Sequence, residues 1–162
     1  MNLRTLKSLR TLMRDTMENT CVIIKPDGVC KKVSGDIIKR FDSEGLKLVA
    51  MRMVRPSKET LEQFYAVHKG REFFEPLIRF MCSAPVIVMA WQAENAVAKV
   101  RQIIGATNSK DAAAGTLRAM FGTDGRRNVV HASDSAANAQ KELAFFFKPE
   151  DLMKYEYGDW NK

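Results

Sequence analysis

Thr20-Cys21-Val22-Ile23-Ile24-Lys25 is a run of β-branched and apolar residues that ends at Pro26. Such residues favour a strand, and proline cannot continue one inside a sheet. Any fold for this chain must therefore supply a sheet to receive that strand. The segments that follow alternate between helical and strand-like spacing. Asp27-Gly28 reads as a turn. Ser34 to Glu44 places Ile37, Ile38 and Phe41 on one helical face, with Gly45 as its C-terminal stop. Leu46 to Val54 alternates as a strand with one covered face. Pro56-Ser57 opens a helix to about His68, with Ser57 as the N-cap. Phe73 to Cys82 predicts a short helix, Pro85 to Trp91 a buried strand, and Glu94 to Ile104 a helix ended by Gly105. Ala106 to Gly115 is a polar loop, and Thr116 to Phe121 one helical turn. Asn128 to His131 is the last strand, followed by a helix capped by Ser133 or Asp134 that runs to about Phe146. The order is βαββαβ plus a terminal helix. It predicts an α+β, ferredoxin-like fold, an antiparallel sheet with helices on one face, in one domain over 20–162.

The chain has 162 residues, enough for one core. Its 46% hydrophobic and 28% charged content is that of a soluble globular protein. No apolar run approaches the length of a bilayer. Cys21, Cys30 and Cys82 are odd in number and lack metal-ligand spacing, so reduced thiols in a cytoplasmic protein are the simplest expectation. The formal net charge of +7 favours phosphate-bearing partners without choosing among nucleotides, nucleic acids and anionic membranes.

Residues 1–19 stand apart. Leu3, Leu6, Leu9 and Leu12 recur at helical spacing beside Arg4, Lys7, Arg10 and Arg14, a basic amphipathic pattern. Three readings stay open: a mitochondrial transit peptide, a membrane-surface helix, or an extension upstream of a start at Met17.

Two common phosphate-binding devices are missing: there is no Gly-x-x-x-x-Gly-Lys-Ser/Thr loop, and no Gly-x-Gly-x-x-Gly follows a strand. Phosphates would have to be held by side chains, for which Lys25, Arg101, Thr107 and Arg118 are candidates. Lys25 is expected to project at a sheet edge, and Arg101 interrupts an otherwise apolar helix. His131, one of two histidines, sits where a strand gives way to a helix. A neutral imidazole has one free lone pair and can accept a phosphoryl group, provided its other nitrogen is held. Glu142 on the following helix is the candidate partner. Ser133 is expected to bond the ring or a phosphate oxygen, and Tyr65 to orient the ring. Phe73 offers a face for a base, Leu77 lines the same slot one turn later, and Asn128 is expected to bond a ribose hydroxyl.

Several ordered blocks carry a family resemblance. They are Ile23-Ile24-Lys25-Pro26-Asp27-Gly28-Val29, Gly35-Asp36-Ile37-Ile38-Lys39-Arg40-Phe41, Gly115-Thr116-Leu117-Arg118, Asn128-Val129-Val130-His131-Ala132-Ser133-Asp134 and Phe147-Lys148-Pro149-Glu150-Asp151-Leu152. From about Thr20 to Trp160 the chain resembles the nucleoside diphosphate kinases. The resemblance implies ping-pong transfer of a terminal phosphate between nucleoside tri- and diphosphates, with broad base tolerance. It implies His131 as phosphoryl carrier, supported by Glu142, Ser133, Lys25 and Tyr65. Lys25, Phe73, Leu77, Arg101, Thr107, Arg118 and Asn128 match the nucleotide-site positions. It also implies Mg²⁺ carried on the nucleotide phosphates and a homo-oligomer, hexamer or tetramer, requiring neither membrane nor nucleic acid. The chain departs from the family pattern in a proline-free loop at Asn108 to Ala114, in Met120 where an acid is frequent, and in Ala132 after the histidine. The rival expectation is a catalytically silent ferredoxin-like module that binds nucleic acid or a protein partner.

Overall fold

The computed structural model describes residues 17–162. The amphipathic pattern expected at the N-terminus falls almost wholly outside these residues. Four strands form one antiparallel sheet in the order β2-β3-β1-β4: β1 (Met17–Ile24), β2 (Lys47–Val54), β3 (Val86–Glu94) and β4 (Val130–Ala132). That is the ferredoxin-like arrangement, with β1 and β3 central. Between the strands lie α1 (Pro26–Cys30), α2 (Ser34–Ser43), α3 (Lys58–Phe64), α4 (Phe74–Cys82), α5 (Ala96–Ile104) and α6 (Leu117–Phe121), with α7 (Ala136–Ala144) after β4.

Both faces of the sheet are covered, where one was expected. Val22, Ile24, Met89 and Trp91 pack with α2 and α5 through Phe41, Val100 and Ile104. Cys21, Ile23, Val88 and Ala90 pack with α3, α4 and α7 through Leu61, Ile78 and Leu143. Successive residues of a strand point to opposite faces, so a central strand between two helical layers must be apolar throughout. The unbroken run in β1 is the sequence trace of that double burial.

Local departures have local causes. Asp27-Gly28 is not a free turn but part of α1, because Pro26 occupies the first helical position, where its lost N–H costs nothing. The helix from Ser57 ends at Phe64, and a 3₁₀ turn, Ala66–His68, replaces its expected last turn. Ser57 Oγ does accept from the Thr60 N–H at 3.2 Å. The final helix is capped by Ser135, whose Oγ accepts from the Asn138 N–H at 3.1 Å, and not by Ser133 or Asp134. Ser133 is unavailable because its own N–H still continues the sheet, donating to Cys21 O at 3.1 Å.

The last strand is shorter than expected because Val129 has φ +62°, a left-handed backbone that a β-branched residue rarely adopts. Neighbours hold it there. Its N–H donates to Asp27 Oδ2 at 3.1 Å, and its carbonyl accepts from the Lys25 N–H at 2.9 Å. Gly28 makes room for this arrangement. A Cβ at Gly28 would lie 2.8 Å from Val129 O and 2.8 Å from Ile24 Cγ2. Gly28→Ala is therefore expected to destabilise the fold by about 1–3 kcal/mol, read as a lower midpoint in urea with an unchanged slope.

Candidate active site

β4 lies at the edge of the sheet, and His131 pairs with Ile23 of β1. Its ring therefore emerges on the face covered by α3, α4 and α7. Ser133, two residues on, points the same way. Between them reaches Glu142 from α7. Its Oε1 lies 3.1 Å from His131 Nε2, and its Oε2 accepts from Ser133 Oγ. Ser133 is fully buried, and its Oγ also accepts from the Cys21 N–H at 3.3 Å. It was expected to touch the ring or a phosphate; instead it fixes the carboxylate that fixes the ring. Nδ1 of His131 has no hydrogen-bond partner among the described residues. Phe64 and Tyr65 meet the ring edge-on, at centroid distances of 5.4 and 6.0 Å. The Tyr65 hydroxyl is buried, and burial, then the Glu142 charge, pushes its phenol up, keeping it protonated.

The ring opens onto a cavity of about 1260 Å³. The cavity walls include Lys25, Arg101, Thr107, Arg118 and Asn128, with Phe73 and Leu77 also lining it. The structure thus gathers ten of the eleven expected site residues at one chamber; the eleventh, Ser133, lies behind it. Arg101 and Thr107 are exposed there. Phe73 is 46% exposed and tilts against His68 at 5.3 Å, so it is a free ring face and not core.

Lys25 does not project at a sheet edge. It continues from the end of central β1 and is buried, with Nζ donating to Asn128 Oδ1 at 2.7 Å and to Arg126 O at 3.2 Å. Burial, then the Arg118 charge, lowers its ammonium to about 7, against the pull of Asp27 and Asp124. Asn128 is also less free than expected. Its Nδ2 donates to Thr107 O at 2.7 Å and Gly125 O at 3.1 Å, leaving only Oδ1 to meet a ligand. Arg118 is anchored by donation to Gly105 O at 3.1 Å and Val130 O at 2.9 Å. Burial, then Arg101, lowers it to about 10, so it stays charged near neutrality.

Sequence reasoning missed Asp124 and Asp27. Asp124 accepts from the Arg126 and Arg127 N–H groups and clamps the Arg127 guanidinium at 2.6 Å. Those bonds, led by the Arg127 backbone and then its side chain, hold its carboxyl far below the usual range. The signal for it was an Asp-Gly in a turn, where aspartate commonly caps its own backbone.

The nucleoside diphosphate kinase model matches residues 18–152. The chain belongs to the nucleoside diphosphate kinase family. A nucleoside diphosphate kinase of Anaeromyxobacter sp. (strain K) is 52% identical over 141 residues, covering 87% of this chain and 96% of that protein. One from Desulfitobacterium hafniense is 45% identical over 139 residues, covering 86% and 93%. Among solved structures, the Halobacterium salinarum nucleoside diphosphate kinase in complex with CDP superposes with a TM-score of 0.85 at 37% identity, covering 89% of this chain and 96% of that one. The Aquifex aeolicus enzyme gives 0.83 at 41%, covering 85% and 99%. As a nucleoside diphosphate kinase, the chain moves the terminal phosphate of a nucleoside triphosphate to a nucleoside diphosphate. Enzymes of this family use a divalent metal. No described helix is long and apolar enough to cross a membrane.

Proposed function

We propose that His131 Nδ1 carries the phosphoryl group between the two nucleotides. The observation behind this reading is the Nε2–Glu142 pairing at 3.1 Å, beside a cationic chamber. With Nε2–H donated to the carboxylate, the lone pair on Nδ1 is free. It attacks the terminal phosphorus as the bond to the bridging oxygen breaks, and the nucleoside diphosphate leaves. The imidazole gains positive charge as it bonds phosphorus, and the adjacent carboxylate stabilises that charge. The reverse sequence delivers the group to the second diphosphate. Lys25, Arg101 and Arg118 neutralise the phosphates, and Thr107 hydrogen-bonds them. Phe73 and Leu77 hold the base, and Asn128 Oδ1 accepts from a ribose hydroxyl. Tyr65 braces the ring from its edge.

The metal of this reading is Mg²⁺ carried by the nucleotide. Among the described residues no group of three or more His, Cys, Asp or Glu side chains is arranged to hold a metal. Of the three cavity carboxylates, Asp124 is clamped to Arg127, Glu142 to His131 and Ser133, and Asp134 accepts from Asn138. Such a donor set suits an ion bound by phosphate and water, where it offsets phosphate charge. A homo-oligomer also belongs to this reading, supported by exposed Met51 and Met53 on the edge strand β2.

The test is incubation with ATP labelled on its terminal phosphate. The label is expected on the protein and then on an added second diphosphate. Steady salt-dependent polynucleotide binding with no transfer would favour the silent module instead.

Lys25 adds a pH signature. Its folded-state value near 7 lies below the ordinary 10.5, so between these values the unfolded chain binds more protons. This group's share of stability in the nucleotide-free enzyme therefore rises as pH rises through that window. A bound polyphosphate favours the ammonium form. Nucleotide binding is expected to take up a proton at pH 7–8 and to weaken as pH rises through that range. Calorimetry in two buffers of different ionisation enthalpy checks this, and Lys25→Met should remove the uptake.

A further inference from the structure

One ring beside His131 lies outside every block that carries the family resemblance. Phe64 is the last residue of α3, is half-buried, and lines the chamber. Four other rings surround it, with centroids at 4.8 Å for Tyr65, 5.4 Å for His131, 5.5 Å for Phe145 and 5.7 Å for Phe146. The planes of Tyr65, His131 and Phe145 stand at 78°, 69° and 69° to it, the edge geometry that aromatic pairs favour. Phe64 is thus held by three rings and presses on a fourth, the imidazole.

The bond to Glu142 fixes that imidazole at one atom, Nε2. A restraint at one atom sets a distance but leaves the ring free to tilt about it. Nδ1 lies across the ring from this pivot, so tilt misdirects its lone pair. Attack on phosphorus tolerates little of that, since a misplacement of about 1 Å can cost roughly a hundredfold in rate. Tilt is resisted where another plane meets the ring side-on. Phe64 does so at 69°, and Tyr65, slightly farther off at 6.0 Å, at 86°. Only Phe64 of the two is also tied to the helix that bears Glu142. Phe145 and Phe146 continue the last turn of α7, their N–H groups donating to Glu142 O at 3.2 Å and Leu143 O at 3.0 Å, and both rings meet Phe64. The carboxylate and the aromatic brace are therefore referred to the same helix end.

We propose that Phe64 is a positioning residue that sets the tilt of the His131 ring and so the aim of Nδ1. It acts through the imidazole and touches neither nucleotide nor phosphate. The proposal rests on His131 being the phosphoryl carrier, and it adds a second, apolar grip to the polar one supplied by Glu142.

The test compares the wild type with Phe64→Leu, which keeps apolar bulk without a ring plane, and Phe64→Tyr, which keeps the plane. Each is mixed with ATP in a single turnover, well below its melting midpoint, and the phosphoprotein is followed in time. Phe64→Leu is expected to phosphorylate about 10–50-fold more slowly, with kcat falling alike and KM for both nucleotides kept within about twofold. Phe64→Tyr should keep most of the wild-type rate. Nitrogen NMR of the imidazole should show the same tautomer in all three, because Glu142 still holds Nε2. A wild-type rate in Phe64→Leu, an equal loss in both variants, a KM rise that accounts for the loss, or a changed tautomer overturns the proposal. A folded His131→Ala protein that still takes up label would instead remove the reading beneath it.

Discussion

His131→Ala is expected to abolish both phosphoprotein formation and phosphate exchange. The drop in kcat should be roughly four to six orders of magnitude, the scale seen when a nucleophile is deleted. The wild-type adduct should be acid-labile and base-stable. A phosphorus–nitrogen bond to imidazole breaks once the ring is protonated, whereas phosphoserine and phosphothreonine esters resist acid. Folding should survive, since the ring lines the open chamber and gives up, besides the Glu142 pairing, only its edge contacts with Phe64 and Tyr65. The variant's melting temperature therefore serves as the control. A folded variant that labels as fast as the wild type would sink the assignment.

Glu142→Ala is expected to have the next largest effect. It removes the acceptor for Nε2–H and leaves the buried Ser133 hydroxyl with only the Cys21 backbone. The imidazole then rotates freely, and Nδ1 is no longer the nitrogen always left bare. A loss of about 10²–10³ in kcat fits removal of one preorganised electrostatic contact. KM should change little, because the carboxylate faces the ring and not the nucleotide. Glu142→Gln separates orientation from charge. It can still accept from Nε2–H, so it should recover part of the rate, and the remaining deficit measures the value of the negative charge opposite the phosphorylated ring. Equal rates in Gln, Ala and wild type would show the pairing to be structural only.

The element order was readable because each strand is a compact β-branched or apolar run and each helix carries its own stripe. The grouping of candidate residues was readable because His131, Lys25 and Arg118, which line one cavity, are residue types whose uses with phosphate are few. The two-sided sheet was harder to read. An antiparallel sheet commonly leaves one face wet, and only the absence of any polar residue from Cys21 to Ile24 argued otherwise. Val129 was read as strand because valine favours strands; its left-handed backbone is imposed by Asp27 and Lys25, about a hundred residues earlier in the chain. The burial of Lys25 was hidden for the same reason. Arg126 and Arg127 are identical in the sequence, and only the position of the Asp124 carboxylate tells the held one from the free one. Ser133 looked like a surface cap because serine so often is one, yet it is enclosed by Cys21 and Glu142.

His131 faces a single chamber, and that imposes an etiquette on the reaction. Donor and recipient cannot sit down together; each must vacate the seat before the other arrives, and the protein alone keeps the cargo in the interval. A visitor arriving with nothing to give, while the ring is bare, simply blocks the doorway.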